Sequence, residues 1–359
     1  MEKLWEPVTI GNLTLPNRLA MAAMTRNRST PAGVPTAINA QYYAQRASVG
    51  LVIAEGTQPS DDGQGYLLTP GIYTEQHIAG WKLVTDAVHA AGGRMFIQLM
   101  HVGRIAHPDN TPHGRRPVGA SEVQPAGQMF TAKGPQPMPV PRELSTNEIA
   151  DTVRDYRRAA AAAIAAGAEG IELHGANGYL IHQFLSENAN RRTDAYGGSL
   201  ENRVRFAVDV AAGVADEIGA DRVGIRISPA NPFNDIVEGD TAGLYRTLIA
   251  KLAPLRLAYL HVMHTGNEEL LRYFRSAWPT SLLVNRPGRP REDVAIDVDS
   301  GMADVATVAT FALPNPDLVT RLKHGAPLNE PDTASFYGGT ERGYTDYPAL
   351  SPAVATPSR

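Results

Sequence analysis

Eight short apolar runs, each bounded by polar or turn-forming residues, recur along the chain with helical patterns between them. They read "LAMAAM", "LVIAEG", "RMFIQLMH", "EGIELHG", "RVGIRIS", "LAYLHVM", "LLVN" and "DVATV". Near-continuous apolar runs of this length fit parallel strands buried on both faces rather than strands with one wet face. The intervening segments carry helix signals. "TEQHIAGWKLVTDAVHAAGG" opens on a capping threonine and stops at glycine. Ser145 with Glu148, and Ser199 with Asn202, open two more helices. Eight βα units predict a closed (β/α)8 barrel, the TIM-barrel architecture, which takes roughly 250 residues plus insertions. The competing arrangement is an open, doubly wound sheet. It lacks support here, because no G-x-G-x-x-G follows the first run.

The rest of the chain fits around that barrel as one domain, residues 1–359. "VTIGNLTLPNR", ahead of the first run, predicts a β-hairpin that caps the barrel floor. The Pro- and Gly-rich span 103–142 reads as a long excursion after the third strand, where a lid would sit. Residues 329–359 read as an irregular tail. The alanine run Ala159 to Ala166 reads as a helix face. With 43% hydrophobic residues the chain can fill a large core, and a net charge of −4 gives no reason to expect nucleic-acid or membrane partners. The absence of cysteine removes disulfides, thiolate nucleophiles and thiolate metal sites. No basic-then-apolar leader or membrane-length run is present, so a cytoplasmic protein is expected.

In such barrels the functional site is built from the C-terminal ends of the strands. Those ends offer Thr25, Glu55, Gly56, Gln98, His101, His174, Asn177, Arg226, His264, Asn285 and Thr310. Hydroxyl, amide, imidazole and guanidinium dominate, with little carboxylate. The set suits a polar, electron-rich planar group and a carbonyl. It suits neither a divalent cation nor a pair of glycosidase carboxylates, and no metal site is expected. His101, His261 and His264 read as structural histidines, His261 as a core residue. A metal site from His261 and His264 lacks a converging carboxylate. Arg226 could pair with a carboxylate, but at a strand end it is expected to face an anionic ligand. Asp194 and Arg203 are expected to brace the loop after strand four.

The segment "HGANGYL", together with "RRTDAYGGSLENR", resembles the central motif of the Old Yellow Enzyme family of FMN-dependent ene-reductases nearly letter for letter. "QLMHVGR", "MAAMTRNRS" and "FYGGTERGYTDYP" resemble that family's other signatures, so the resemblance spans nearly the whole chain. It implies FMN held at the barrel mouth, NADPH or NADH as reductant, and hydride delivery to the β-carbon of an enone-type small molecule. By the same resemblance Thr25, Gln98 and Arg226 meet the flavin ring, and His174 with Asn177 binds the substrate carbonyl. Tyr179 would protonate the α-carbon, and Tyr66, Met100 and Tyr337 would line the pocket. Met100 stands where the family often has tryptophan.

At the end of strand seven the pattern breaks. The family's glycine pair is replaced by Asn285-Arg286-Pro287, and strand eight ends in Val308-Ala309-Thr310-Phe311 where the family has an arginine. Pro287 has no N–H to donate. Two readings stay open. Arg286, with Arg289 or Arg291 further out and solvated, and with Thr310, could hold the FMN phosphate in a rewired site. Otherwise FMN binds weakly or not at all, and the barrel is a non-redox isomerase, a cyclase or a silent binding protein. Losing two or three charged hydrogen bonds, worth roughly 1.5–3 kcal/mol each, would weaken binding by about three to six decades.

Overall fold

The computed structural model describes residues 1–351. Eight parallel strands close into a barrel, as the periodicity predicts. They are β1 (Leu19–Met21), β2 (Leu51–Thr57), β3 (Met95–Leu99), β4 (Gly170–Gly175), β5 (Val223–Ile227), β6 (Tyr259–Met263), β7 (Ser281–Asn285) and β8 (Val305–Val308). Sequential strands are neighbours, and β8 closes on β1 with Ala306 opposite Leu19 and Val308 opposite Met21. Nearly every strand position is buried, which is why these runs are apolar without alternation.

Several strands stop before the apolar runs do. β1 ends at Met21 and β3 at Leu99, so Thr25 and Met100 leave the sheet and stand at its rim. The ladder between β2 and β3 also slips in register between Ala54 and Thr57, which bends the end of β2. Both features open the C-terminal face.

The predicted hairpin forms from Val8–Ile10 and Leu13–Leu15. Ile10 and Leu15 pack with Ala20, Leu51, Phe96 and Leu283 and cap the barrel floor. Gly11 turns the hairpin with φ +57, and a Cβ there would lie 1.9 Å from the carbonyl oxygen of Asp221. The helices outside the barrel include α1 (Ala37–Gln45), α2 (Glu75–Ala90), α3 (Thr146–Ala165) and α4 (Leu180–Leu185). The capping box of α3 forms as read from sequence: Glu148 Oε2 accepts from the Ser145 N–H at 2.9 Å, and Ser145 Oγ accepts from the Glu148 N–H at 3.3 Å. Ala159, Ala160 and Ala163 are the face that α3 buries. α5 (Leu200–Ile218) opens on Ser199, whose side chain accepts from the Asn202 N–H.

The span 103–142 has more order than its composition suggests. It holds a hairpin of Gln128–Thr131 with Gly134–Pro137, and Val118–Gly119 within it pairs with Arg142–Glu143 at its far end. Of the tail read at 329–359, residues 329–351 are largely irregular but fastened, and 352–359 lie outside the described residues. Arg26 donates to the carbonyls of Phe336 and Gly343, Arg28 to that of Thr340, and Tyr344 stacks on Tyr42 at 4.0 Å. This clamp brings Phe336 and Tyr337 over the barrel mouth. Among the described residues no helix is long and apolar enough to cross a membrane.

Candidate active site

Two adjoining cavities occupy the C-terminal face. The smaller, about 290 Å³, is bordered by Thr25, Gln98, Met100, His174, Tyr179 and Tyr337. The larger, about 950 Å³, lies between the loops after β7 and β8 and is bordered by Arg286, Gly288 and Phe311. Asn177, Arg226 and Thr310 border both. The structure thus brings the sequence-derived residues to one continuous groove. Tyr66 stands just behind it, with its hydroxyl 3.0 Å from that of Tyr179.

Arg226 is buried at the end of β5, next to His174 in register. Among the described residues its side chain makes one hydrogen bond, a long one of 3.5 Å from Nη2 to Asn285 Oδ1, and its Nε has no partner. It makes none of the ion pairs found among the described residues. An unsatisfied buried guanidinium at a cavity wall calls for an acceptor from outside the protein.

His174 is buried too, and its Nδ1 has no partner among the described residues. Burial, with Arg226 adding to it, pushes its pKa down to about 3, so the imidazole is neutral at ordinary pH. Asn177 follows in a left-handed conformation, φ +55. Its Oδ1 accepts from Asn231 Nδ2 at 2.8 Å, and its N–H donates to Ser228 Oγ at 2.9 Å. With the amide oxygen engaged, its NH₂ is what Asn177 can present. Burial pushes the Tyr179 phenol above its usual range, so it holds its proton. The His174 and Tyr179 rings lie 5.1 Å apart.

The loop carrying these side chains is braced from below. His182 on α4 accepts from the Gly178 N–H through Nδ1 and donates from Nε2 to Glu238 at 2.8 Å. Tyr245 and Thr241 also donate to Glu238. Gly178 has φ +77, and a Cβ there would meet Asn234 Cβ at 2.6 Å. Asp194 accepts from Arg192, and Arg203 donates to the carbonyls of Leu185 and Glu238, so both serve this loop rather than the groove.

The β7 loop departs from the sequence reading. Arg286 does not present a free guanidinium. Its Nε and Nη2 grip Asp297 at 2.7 and 2.9 Å, and its Nη1 and Nη2 reach Glu268. Burial is outweighed by these carboxylates, and the guanidinium is held more firmly charged than usual. Arg289 and Arg291, expected to be solvated, are half-buried. Arg289 shares Asp297 at 2.8 Å, and Arg291 donates to the Ala326 carbonyl at 2.6 Å. An acceptor within the chain was the stronger competitor for each. What the loops do leave open is backbone. Among the described residues nothing accepts from the N–H groups of Gly288, Thr310 and Phe311, all three beside the larger cavity.

Sequence reading missed Asn231, Ser228 and Glu238, which come from the β5 loop and become neighbours only in three dimensions. It also missed Glu172. The sequence carried a signal there: position 172 precedes His174 by two, so the two side chains share one face of β4. His261 was expected to lack a carboxylate partner. In fact its Nδ1 donates to Glu172 Oε2 at 2.7 Å, and its Nε2 lies 2.9 Å from Thr307 Oγ1. His101 accepts from the Gly103 N–H, and burial pushes its pKa down to about 4. His264 lies 3.1 Å from Arg286 Nη1. Among the described residues no three His, Asp or Glu side chains converge as a metal site.

A profile of the NADH:flavin oxidoreductase / NADH oxidase family matches residues 3–329. The chain is 43% identical to a probable flavin mononucleotide-dependent alkene reductase of Leishmania infantum, over 98% of both chains. It is 41% identical to 12-oxophytodienoate reductase 1 of Oryza sativa subsp. japonica, over 97% of this chain and 93% of that one. Among solved structures it superposes on morphinone reductase in complex with tetrahydroNAD with TM-score 0.93, at 41% identity and 98% coverage of each. The Old Yellow Enzyme homologue of Zymomonas mobilis gives TM-score 0.94 at 37% identity, covering 97% of this chain and all of that one.

Proposed function

The chain belongs to the NADH:flavin oxidoreductase / NADH oxidase family, and from that premise we propose that it is an FMN-dependent ene-reductase. It takes reducing equivalents from NADPH or NADH and saturates the C=C bond of an α,β-unsaturated carbonyl compound. The observation that carries this reading is the set of unspent donors on one groove: the Arg226 guanidinium, the Asn177 amide and the neutral His174, with the protonated Tyr179 beside them.

The groove fits FMN at both ends. Arg226, Gln98 and Thr25 would hold the ring, where a fixed cation suits the electron-rich pyrimidine edge. The N–H groups of Gly288, Thr310 and Phe311 would hold the phosphate, as backbone donors at the start of a turn do. This assigns the phosphate to backbone rather than to Arg286, whose charge the two carboxylates already offset. Bound there, FMN would supply the hydride relay between the nicotinamide and the alkene.

The protein's own groups do the rest. Asn177 and His174 each offer one N–H to the substrate carbonyl oxygen. Two donors on one oxygen stabilise the negative charge that develops as the β-carbon is reduced. A neutral imidazole suits this task, because it can donate without giving up its proton. The Tyr179 phenol stays protonated well past neutral pH and is placed to deliver a proton to the α-carbon. Met100, Tyr337 and Phe233 form the apolar rim of the groove.

The test is direct. Purified protein with saturating FMN and NADPH is given 2-cyclohexenone. The expected product is the saturated ketone, with NADPH consumed in equal amount. Enone left untouched under these conditions, and also with NADH in place of NADPH, overturns the reading.

A further inference from the structure

Directly under the groove lies a carboxylate that the proposed chemistry does not use. Glu172 is fully buried inside the barrel. Its Oε1 accepts from Gln98 Nε2 at 2.7 Å. Its Oε2 accepts from His261 Nδ1 at 2.7 Å and from the Tyr259 hydroxyl at 3.1 Å. A carboxylate can only accept, so the side of the Gln98 amide that faces it is the NH₂. That leaves the amide oxygen and one remaining N–H as what Gln98 offers the groove it borders.

We infer that Glu172 is a positioning residue for the flavin. Its charge holds the Gln98 amide in one orientation and offsets part of the Arg226 cation, and so sets the reduction potential of bound FMN. The inference rests on the proposed use of FMN.

The electrostatics support it. Burial alone would raise the Glu172 carboxyl, but His261, Arg226 and Gln98 outweigh it and keep the group ionised. Burial lowers His261, so its imidazole is neutral and the Thr307 hydroxyl can donate to its Nε2. Arg226 stands on the adjacent strand, two positions beyond Gly224, the residue opposite Glu172, and without an ion pair between them the carboxylate still offsets part of the burial that disfavours the guanidinium. Between low-dielectric walls, charges act on each other even without direct contact. Any ligand resting on Arg226 feels the guanidinium diminished by the carboxylate behind it. Removing that negative charge favours the more negative, reduced form of the ligand.

The experiment compares the midpoint potential of bound FMN in wild type, Glu172→Gln and Tyr259→Phe by dye equilibration, with the flavin absorption spectrum recorded alongside. Glu172→Gln is expected to shift the potential positive by the equivalent of about tenfold tighter binding of reduced over oxidised FMN, about 30 mV for two electrons. Its spectrum should also change as Gln98 loses its fixed direction. Tyr259→Phe removes one donor but keeps the charge, and should stay near wild type. A folded, FMN-loaded Glu172→Gln with unchanged potential overturns the inference, and so does a Tyr259→Phe shift of equal size. If Glu172→Gln does not fold, wild type with ¹³C-labelled glutamate side chains decides. Its reduced-minus-oxidised infrared spectrum must show a glutamate carboxylate band that moves, and a silent carboxylate region overturns the inference. Wild type that binds no FMN overturns the proposed function and this inference with it.

Discussion

In the proposed reaction much of the chemistry rests on a single side chain, Tyr179. It caps α4, shares a hydrogen bond with Tyr66 and is pushed above the usual phenol range by burial. A group with that pKa holds its proton through pH 9, so proton delivery should not fall off between pH 7 and 9. Tyr179→Phe removes the hydroxyl, and with it the proton and the bond to Tyr66, and keeps the ring. Stopped-flow measurement is expected to show flavin reduction by NADPH near wild type, with alkene reduction slowed by roughly 10²–10⁴, the usual worth of a positioned acid. Equal slowing of both half-reactions would take the proton-donor role from Tyr179. Asn177 makes a related point. Its type alone leaves open whether it donates or accepts. Asn231, 54 positions later in the chain, engages its oxygen and leaves the NH₂.

The loop after β7 is the element where residue types mislead when read singly. Three arginines in "NRPGRPR" suggest an anion, and anions are present: Asp297 and Glu268, supplied by the chain itself. Asp297 lies just after the loop and Glu268 at the start of the helix Glu268–Ala277, so the arginines fasten this loop to its neighbours. Arg286→Ala is therefore expected to weaken FMN binding by less than about tenfold. Arg226→Met, which removes the largely unsatisfied guanidinium of the groove, should cost the roughly 1.5–3 kcal/mol of a charged hydrogen bond, about 10- to 150-fold. Titration of apo-protein with FMN by fluorescence quenching measures both. A loss for Arg286→Ala as large as that for Arg226→Met would return the phosphate to the arginine.

Across the whole molecule, buried neutral histidines tie stability to pH. His101 and His174 are pushed by burial to about 4 and about 3, below the ordinary 6.5 of the unfolded chain. Between those values the unfolded state binds the proton and the folded state does not, so stability rises with pH. It is fully present above about 6.5 and is lost as pH falls toward the folded values. At pH 5 each histidine is expected to cost about 2 kcal/mol relative to pH 7. Urea midpoints at the two pH values should differ accordingly, and His101→Gln should shrink the difference. A difference untouched by that substitution would show that other groups set the slope.

The architecture and most of the groove's polar residues were legible in the sequence, because barrel strands buried on both faces must be apolar and strand ends must carry the polar groups. The eight runs, the Ser145–Glu148 capping box and the hairpin over the floor are local consequences of residue type and spacing. The positions Thr25, Gln98, His174, Asn177, Tyr179 and Arg226 follow from strand ends and motif. What the tertiary structure alone decided was which polar groups were already satisfied. Arg286 is satisfied by Asp297 and Glu268, Asn177 by Asn231 on one side only, and Arg226 barely at all. Glu172 meets Gln98 across 74 residues and His261 across 89. Hydrogen-bond and charge satisfaction depend on neighbours brought together by barrel closure, and that closure is a property of all eight strands at once.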